Sequence, residues 1–408
     1  MRFAAALSRS KTMQSRSPDN FIHGAADRLA RIRRKAGHHS LRRFVKLYLR
    51  DHFSRPHSLM HVEFLDLLSS GIQKRAARIA AAIPNGYGKS TMASFALPIW
   101  AVSYRHARHI VLLSATRQEA GEHLANIARE ISQNQRLRRD FPHLRHVSNT
   151  GFSKAGGTRE LFIGTAARLI AVGRSPLVRS LQFGSTPPDL IVVDQLERRD
   201  EDFAPRRLAS TASLFQRSIL RAGTEQTSVV VVGTRRHSRS LLATLLDPAK
   251  SPDWSGHTYA AITTYSARPD LWCQWELVHR GQELYKGVAG PEAAARMLVA
   301  NRARMLEGTE VLWPKHETYA ALMEQKVRDG WCEFDAEKQN TPVPDHLDSV
   351  RMQLQLVLDD STPTPPSPPP YEWKDDARII RRSYDPDPRT ASLRPTPPES
   401  EVVVLELD

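Results

Sequence analysis

Residues 78–105 constrain the fold more than any other stretch. A short apolar segment, "RIAAAI", enters the loop "PNGYGKST" and leaves it as "MASFALPIWAVSYR", which patterns as a helix. A strand that turns on glycines straight into a helix aims main-chain N–H groups, and the positive end of the helix dipole, at an anion. Gly86 and Gly88 allow the backbone to come close to such an anion. Lys89 brings a charge to it, Ser90 carries a hydroxyl suited to Mg2+, and Thr91 is a second hydroxyl one step on. The pattern G-x-x-x-x-G-K-[ST] is broken at one place, where Ile83 stands for the first glycine. That departure removes none of the chemical parts. The plain alternative is a glycine turn before a helix.

The rest of the first 260 residues repeats the alternation. "HIVLLSAT" (109–116), "RELFIGT", "DLIVVDQL" and "TSVVVVGT" are short, β-branched apolar runs, whereas "MHVEFLDLLSSGIQKR" and "RQEAGEHLANIAREISQN" carry apolar residues at helical spacing. Strands alternating with helices predict an α/β fold, a mainly parallel sheet covered by helices on both faces. Four regions follow: a basic arm or helix over 1–55, a phosphate-loop domain over 56–260, a tryptophan-bearing helical remainder over 261–345, and a proline-rich low-complexity tail over 346–408 of disordered composition.

The carboxylate that such a loop needs is supplied by "PPDLIVVDQLE", which puts Asp194 at the end of an apolar strand, where it would take Mg2+ directly or through water. With loop and aspartate a hundred residues apart and "HIVLLSAT" between them, the order fits the additional-strand class of phosphate-loop ATPases, with ATP and Mg2+ as ligands. That class follows the aspartate with an acid that orients the attacking water. Here Gln195 follows, and Glu197 is the nearest substitute, while Asp200, Glu201 and Asp202 read as a solvated acidic turn. Two readings stay open: Glu197 does the work, or the site binds ATP and turns it over poorly, since an amide does not take a proton as a carboxylate does. "SVVVVGTRRHS" places Thr234 where a γ-phosphate sensor or coupling element sits; otherwise it is a core strand with a solvated basic loop.

A net charge of +14 and a pI near 10.0 favour polyanionic partners. Two cysteines, Cys273 and Cys332, are too few for a disulfide framework or a four-ligand zinc site. No apolar run reaches the ~20 residues of a membrane span. The start "MRFAAALSRSKTMQSRS" is basic and acid-poor, a disordered arm or a transit peptide. "RLARIRRKAGHHSLRRFVKLYLRDHF" is a basic helix, either a solvated face or an arm for nucleic acid or a partner.

Taken together these motifs resemble the large subunit of tailed-phage terminases. "PNGYGKST" is similar to that family's P-R-G-x-G-K-[ST] loop, which also lacks the first glycine, except that Asn85 stands for the arginine. "PPDLIVVDQLE", "VVVVGTRRHSRSLLATLL" and "LWPKHETYAALMEQKVRDGWCEFDAEKQNTP" resemble its aspartate strand, its coupling segment and the E-x-Q-N-x-P phrase that closes its ATPase half. The likeness runs over about residues 56–345. It implies a DNA-packaging ATPase motor in which residues 84–91 (Pro84, Asn85, Gly86, Tyr87, Gly88, Lys89, Ser90, Thr91) bind nucleotide, Ser90 and Asp194 hold Mg2+, Glu197 positions water and Thr234 couples. The implied partners are double-stranded DNA, a portal protein, a small terminase subunit and further copies in a ring, in the cytoplasm of a bacterial host. The family continues into an RNase H-like nuclease domain. Here "SEVVVLELD", ending in Asp408, is similar to the first strand of such a domain or is a chance apolar end, and no DNA cleavage is expected of this chain alone. A helicase-type ATPase is a rival, but its "SAT" motif follows the Mg2+ aspartate, whereas Ser114, Ala115 and Thr116 precede it. The other rival is a basic DNA- or capsid-binding remnant with a dead ATPase fold.

Overall fold

The structure, a computed structural model, describes residues 18–150, 159–165, 167–176, 178, 186–197 and 203–342. The proline-rich tail with Asp408, the first part of the basic arm and the acidic turn at 200–202 lie outside the described residues.

Eight strands form one sheet: β1 (Arg78–Ala82), β2 (His109–Ser114), β3 (Val147–Thr150), β4 (Arg159–Ile163), β5 (Ala167–Val172), β6 (Leu190–Asp194), β7 (Ser228–Gly233) and β8 (Ser255–Thr258), in the order β3-β4-β5-β2-β6-β7-β1-β8. β2 runs parallel to both β5 and β6. Every residue of β2, β6 and β7 is buried, which is why these strands read as unbroken apolar runs. The fold is α/β, and the sheet is mixed. β3, β4 and β5 form an antiparallel ribbon, because only residues 164–166 join β4 to β5, far too few for a crossover. Arg168 and Glu160 pair across that ribbon at 2.6 Å. In space it is β7, not β2, that stands between the loop strand β1 and the aspartate strand β6. The strand inserted between loop and aspartate, which defines the additional-strand class, is therefore the one leading to Thr234.

The chain divides into two compact units that interleave in sequence. The first comprises Met1–Ile79, Gly88–Leu196 and Ser213–Val231. Its helices are α1 (Pro18–His38), α2 (Leu41–Tyr48), α3 (Leu59–Lys74), α4 (Leu97–Tyr104), α5 (Arg117–Gln133) and α6 (Gln135–Asp140); α7 (Pro205–Leu214) ends in it and α8 (Leu220–Ala222) follows. The single basic helix expected over residues 28–53 is two helices. Ser40 interrupts it, its Oγ accepting the Arg43 N–H as an N-cap. α2 then buries Leu41, Phe44, Val45 and Tyr48, one face at helical spacing, so this segment is structural on one side and basic on the other. Asp140, fully buried, accepts two hydrogen bonds from the Arg33 guanidinium (2.6 and 2.7 Å) and one from the Tyr48 hydroxyl at 2.9 Å. Burial, then the hydrogen bond to Asp140, raises the Tyr48 phenol far above its ordinary pKa and keeps it a donor. Tyr48→Phe leaves that carboxylate one donor short and should cost about 2 kcal/mol; a urea midpoint equal to the parent's would contradict the network.

The second unit comprises Ala80–Tyr87, Glu197–Ala212 and the chain from Val232 onward. It holds α9 (Leu241–Leu246), a two-stranded antiparallel pair of β9 (Ile262–Thr264) and β10 (Glu310–Val311), and α10 (Pro269–His279), α11 (Pro291–Ala300), α12 (Arg302–Met305), α13 (Tyr319–Asp329) and α14 (Trp331–Glu337). Two of the tryptophans that mark this region, Trp272 and Trp275, are core anchors. Trp272 and Trp275 pack edge to face at 5.2 Å, and the Trp272 indole N–H donates to the Met305 carbonyl at 2.7 Å.

Candidate active site

Gly86 and Gly88 sit at φ +85° and +75°, the left-handed region in which a side chain is strained. A Cβ on Gly86 would meet the His316 Nε2 at 3.6 Å, and one on Gly88 the His61 Nε2 at 3.7 Å, both ordinary contacts. Backbone conformation, not space, is what requires glycine at these two positions.

In the first unit the loop runs out through Gly88, Lys89 and Ser90 into a π-helical turn, Thr91–Ala96, and then α4. The Met92 N–H closes on the Gly88 carbonyl at 3.0 Å. Lys89 is buried, at 5% exposure. Asp194 ends β6, 3% exposed, in register with Ser114 at the end of β2. Its Oδ2 accepts the Ser94 hydroxyl at 2.7 Å and lies 3.4 Å from the His123 Nε2 of α5. The other oxygen, Oδ1, is buried with no hydrogen-bond partner among the described residues, and so is the Ser114 Oγ. A desolvated carboxylate oxygen left unpaired is costly. A hard divalent cation, or water bound to one, is the chemistry that relieves it, and the carboxylate and hydroxyl oxygens here are the donor type that Mg2+ takes. Among the described residues no three His, Cys, Asp or Glu side chains gather into a metal cage. One carboxylate with hydroxyls instead suits an ion shared with substrate phosphates. Gln195, next after Asp194, is at φ +49°, a left-handed residue without the excuse of glycine. The strain turns the chain sharply out of β6 and sits where strained backbone tends to gather.

In the second unit the first half of the loop is held from below. The Ile83 N–H donates to the Gly233 carbonyl at the end of β7 (2.9 Å), and the Tyr87 N–H closes on the Pro84 carbonyl at 3.2 Å. The Asn85 N–H donates to the Glu337 carbonyl at 2.9 Å, while the Lys338 ammonium donates back to the Asn85 carbonyl at 3.0 Å. Lys338 is also paired with both Glu317 oxygens, at 2.8 and 3.0 Å, and stands 5.4 Å from the centre of the Tyr87 ring. Tyr87 is fully buried, edge-on to Trp313 and His316. Burial, and then the facing Glu317 carboxylate, push its phenol well above the ordinary tyrosine range. Pro84 is buried, whereas Asn85 and Gly86 are exposed.

Thr234, 9% exposed, leads out of β7. The next residues are tied to the end of α14: the Arg235 N–H donates to the Asn340 Oδ1 at 2.7 Å, and the Arg236 guanidinium pairs with Glu337 and with Glu333, the latter at 2.9 Å. Asn340 also donates to the Tyr259 carbonyl, and Gln339 bridges both main-chain groups of Ile262. The phrase Glu337-Lys338-Gln339-Asn340 is thus a knot that fastens the loop, the exit of β7 and the start of β9 within one unit. Glu197 points one oxygen at the first turn of α9, where its Oε2 accepts the Leu241 N–H at 2.8 Å beside the Ser240 N-cap. Ser94, His123, Lys338 and the His316–Trp313 pair are the neighbours that motif reading passes over. Ser94 alone carries a signal, a third hydroxyl after Ser90 and Thr91.

No family model matches the chain, and no curated protein matches it. Several solved structures align with it. The large terminase ATPase domain of Thermus phage P74-26 aligns at 12% identity and a TM-score of 0.38, over 71% of this chain and 96% of that one. The large terminase of bacteriophage HK97 aligns at 15% and 0.37, over 62% of this chain and 50% of that one. The large terminase of a thermophilic bacteriophage, in complex with ATP-gamma-S, aligns at 11% and 0.30, over 50% and 45%. This chain thus spans about half the length of the latter two. Likenesses this distant assign neither the fold nor the function; the residues have to do so.

Proposed function

We propose that this chain is a Mg2+-dependent ATPase of the phosphate-loop kind and the motor subunit of a phage DNA-packaging terminase, acting on double-stranded DNA. The observation that carries the nucleotide chemistry is Asp194: a buried carboxylate at a strand end, one oxygen unsatisfied, tied through Ser94 to the helix that leaves the glycine loop. In this reading main-chain N–H groups of residues 86–91 take the phosphate chain of ATP, and the Lys89 ammonium offsets charge on its β and γ groups. Ser90 and Asp194 hold Mg2+, which supplies charge neutralisation at the transferring phosphoryl group. Glu197 orients the attacking water, and Thr234, through Arg235 and Arg236, passes the state of the γ-phosphate to the α14 knot. The sequence resemblance suggests the partners: duplex DNA gripped through its phosphates, a portal protein, a small terminase subunit, and neighbouring copies in a ring, one of which lends an arginine, in a bacterial cytoplasm. Among the described residues no helix is long and apolar enough to cross a membrane.

A second reading is favoured by one contact. Glu197 already caps α9, and Gln195 does not replace it as a base, so the chain binds ATP and DNA and hydrolyses slowly. Steady-state ATP turnover with Mg2+, with and without duplex DNA, separates the two. DNA-stimulated turnover lost in Lys89→Ala supports the motor. Mg2+-dependent binding without turnover supports the remnant, and absence of both binding and turnover rejects the nucleotide site altogether. Glu197→Gln divides the roles further: under the motor reading turnover falls about a hundredfold with ATP affinity kept, whereas a capping role alone lowers only stability, by about 1 kcal/mol.

A further inference from the structure

In the first unit a cavity of about 570 Å3 opens among α1, the end of α4 and the residues after α6. Arg34, Lys35 and His38 of α1, with His39 just past its end, line one side, and Arg105 and His143 line the other. Among the described residues the one carboxylate on the wall is Asp140, fully buried with its oxygens occupied by Arg33 and Tyr48, so it does not neutralise the cavity. Lys35 and Arg105 are exposed and have no ion-pair partner among the described residues. Residues 18–55, which build this side, hold ten Lys and Arg against three Asp. Flat rings stand between the cations: His38 packs edge-on to Tyr104 at 5.2 Å, and Tyr104 to Phe141 at 5.0 Å. Burial lowers the pKa of His38 and of His143, so both rings are uncharged near neutral pH and suited to stacking.

We infer that this cavity binds a single strand of nucleic acid, phosphates on Lys35 and Arg105 and a base against the His38 and Tyr104 rings. Unpaired cations at the mouth with aromatic rings in the wall are the make-up of a strand-binding groove. A small phosphoanion needs no rings, and a duplex is too wide for a cavity of this volume. The site is separate from the glycine loop and from the duplex partner proposed above; it suits a frayed or unpaired end.

The test is fluorescence anisotropy of a labelled oligothymidylate against the full chain at 0.1 M salt. Lys35→Gln keeps a good helix former on an exposed face. Arg105→Asn respects the left-handed φ of +58° at that residue. The double variant should bind about tenfold more weakly, with a salt slope shallower by roughly 1.4 for the two lost phosphate contacts. Lys35→Gln alone should lose about threefold, and Arg221→Gln, an exposed arginine elsewhere, nothing. Parent-like affinity in the double variant overturns the site. An equal loss for a blunt duplex overturns the single-strand assignment. Displacement of the oligonucleotide by pyrophosphate at fixed ionic strength, in a Lys89→Ala background, reassigns the cavity to a small phosphoanion and also overturns it. Absence of duplex binding by the parent would strike the packaging proposal and leave this one standing.

Discussion

Asp194→Asn is expected to lose Mg2+-dependent ATP turnover by about a thousandfold, roughly 4 kcal/mol of transition-state stabilisation, while leaving the unliganded chain at least as stable as the parent. The two halves of that expectation have one cause. Asp194 is 3% exposed, and its Oδ1 has no hydrogen bond among the described residues, so the free protein bears at that oxygen a desolvation cost that a bound cation relieves. An amide removes the charge and still accepts the Ser94 hydroxyl. Thermal melts distinguish the two effects. At a hundredfold excess over its dissociation constant MgATP should stabilise the parent by about 2.7 kcal/mol, and Mg2+ should add nothing to ATP alone in the variant. Turnover within tenfold of the parent would remove Asp194 from the metal site. A variant clearly less stable than the parent would mean that Oδ1 is satisfied and the physical argument wrong.

Burial on both faces is what made the central strands legible: β2, β6 and β7 are apolar at every position that matters because helices cover each side. The strand–glycine–helix passage at residues 82–97 was equally legible, since only glycine tolerates φ near +80° at two positions so close together. What sequence order hid is spatial order. "HIVLLSAT" lies between loop and aspartate along the chain, yet β7 lies between them in the sheet. The antiparallel ribbon β3–β5 escaped because its signal is a missing helix, not a present motif. Ser94 escaped because it reaches Asp194 from a π-helical turn, a register that neither helical nor strand periodicity reveals. His123 looked like one more polar residue of α5, whose buried positions Ala120, Leu124, Ile127 and Ile131 account for the pattern. The role of Glu337-Lys338-Gln339-Asn340 was visible only as a resemblance. Its partners at Asn85, Arg235, Tyr259 and Ile262 are distant in sequence, and no local rule finds them.

That knot carries the second large expectation. Lys338→Met should destabilise the chain by about 3 kcal/mol. The Lys338 side chain is 5% exposed and its partner Glu317 22%, so removing the ammonium strands a largely buried carboxylate and takes the donor from the Asn85 carbonyl. Apolar replacement of both members, Lys338→Met with Glu317→Leu, should recover most of the loss, because a buried pair repays little beyond its own desolvation. Urea unfolding of the two single variants and the double measures the coupling directly. Nucleotide affinity should not recover with stability. Lys338 fixes the carbonyl of Asn85 and faces the ring of Tyr87, and with it gone the loop is free to leave the geometry that the proposed site needs for its N–H groups to meet phosphate, whatever packs beneath. A double variant as stable as the parent yet about tenfold weaker for MgATP would make Lys338 a positioning residue of the loop. If affinity returned along with stability, the pair would be a fastening of the second unit and nothing more.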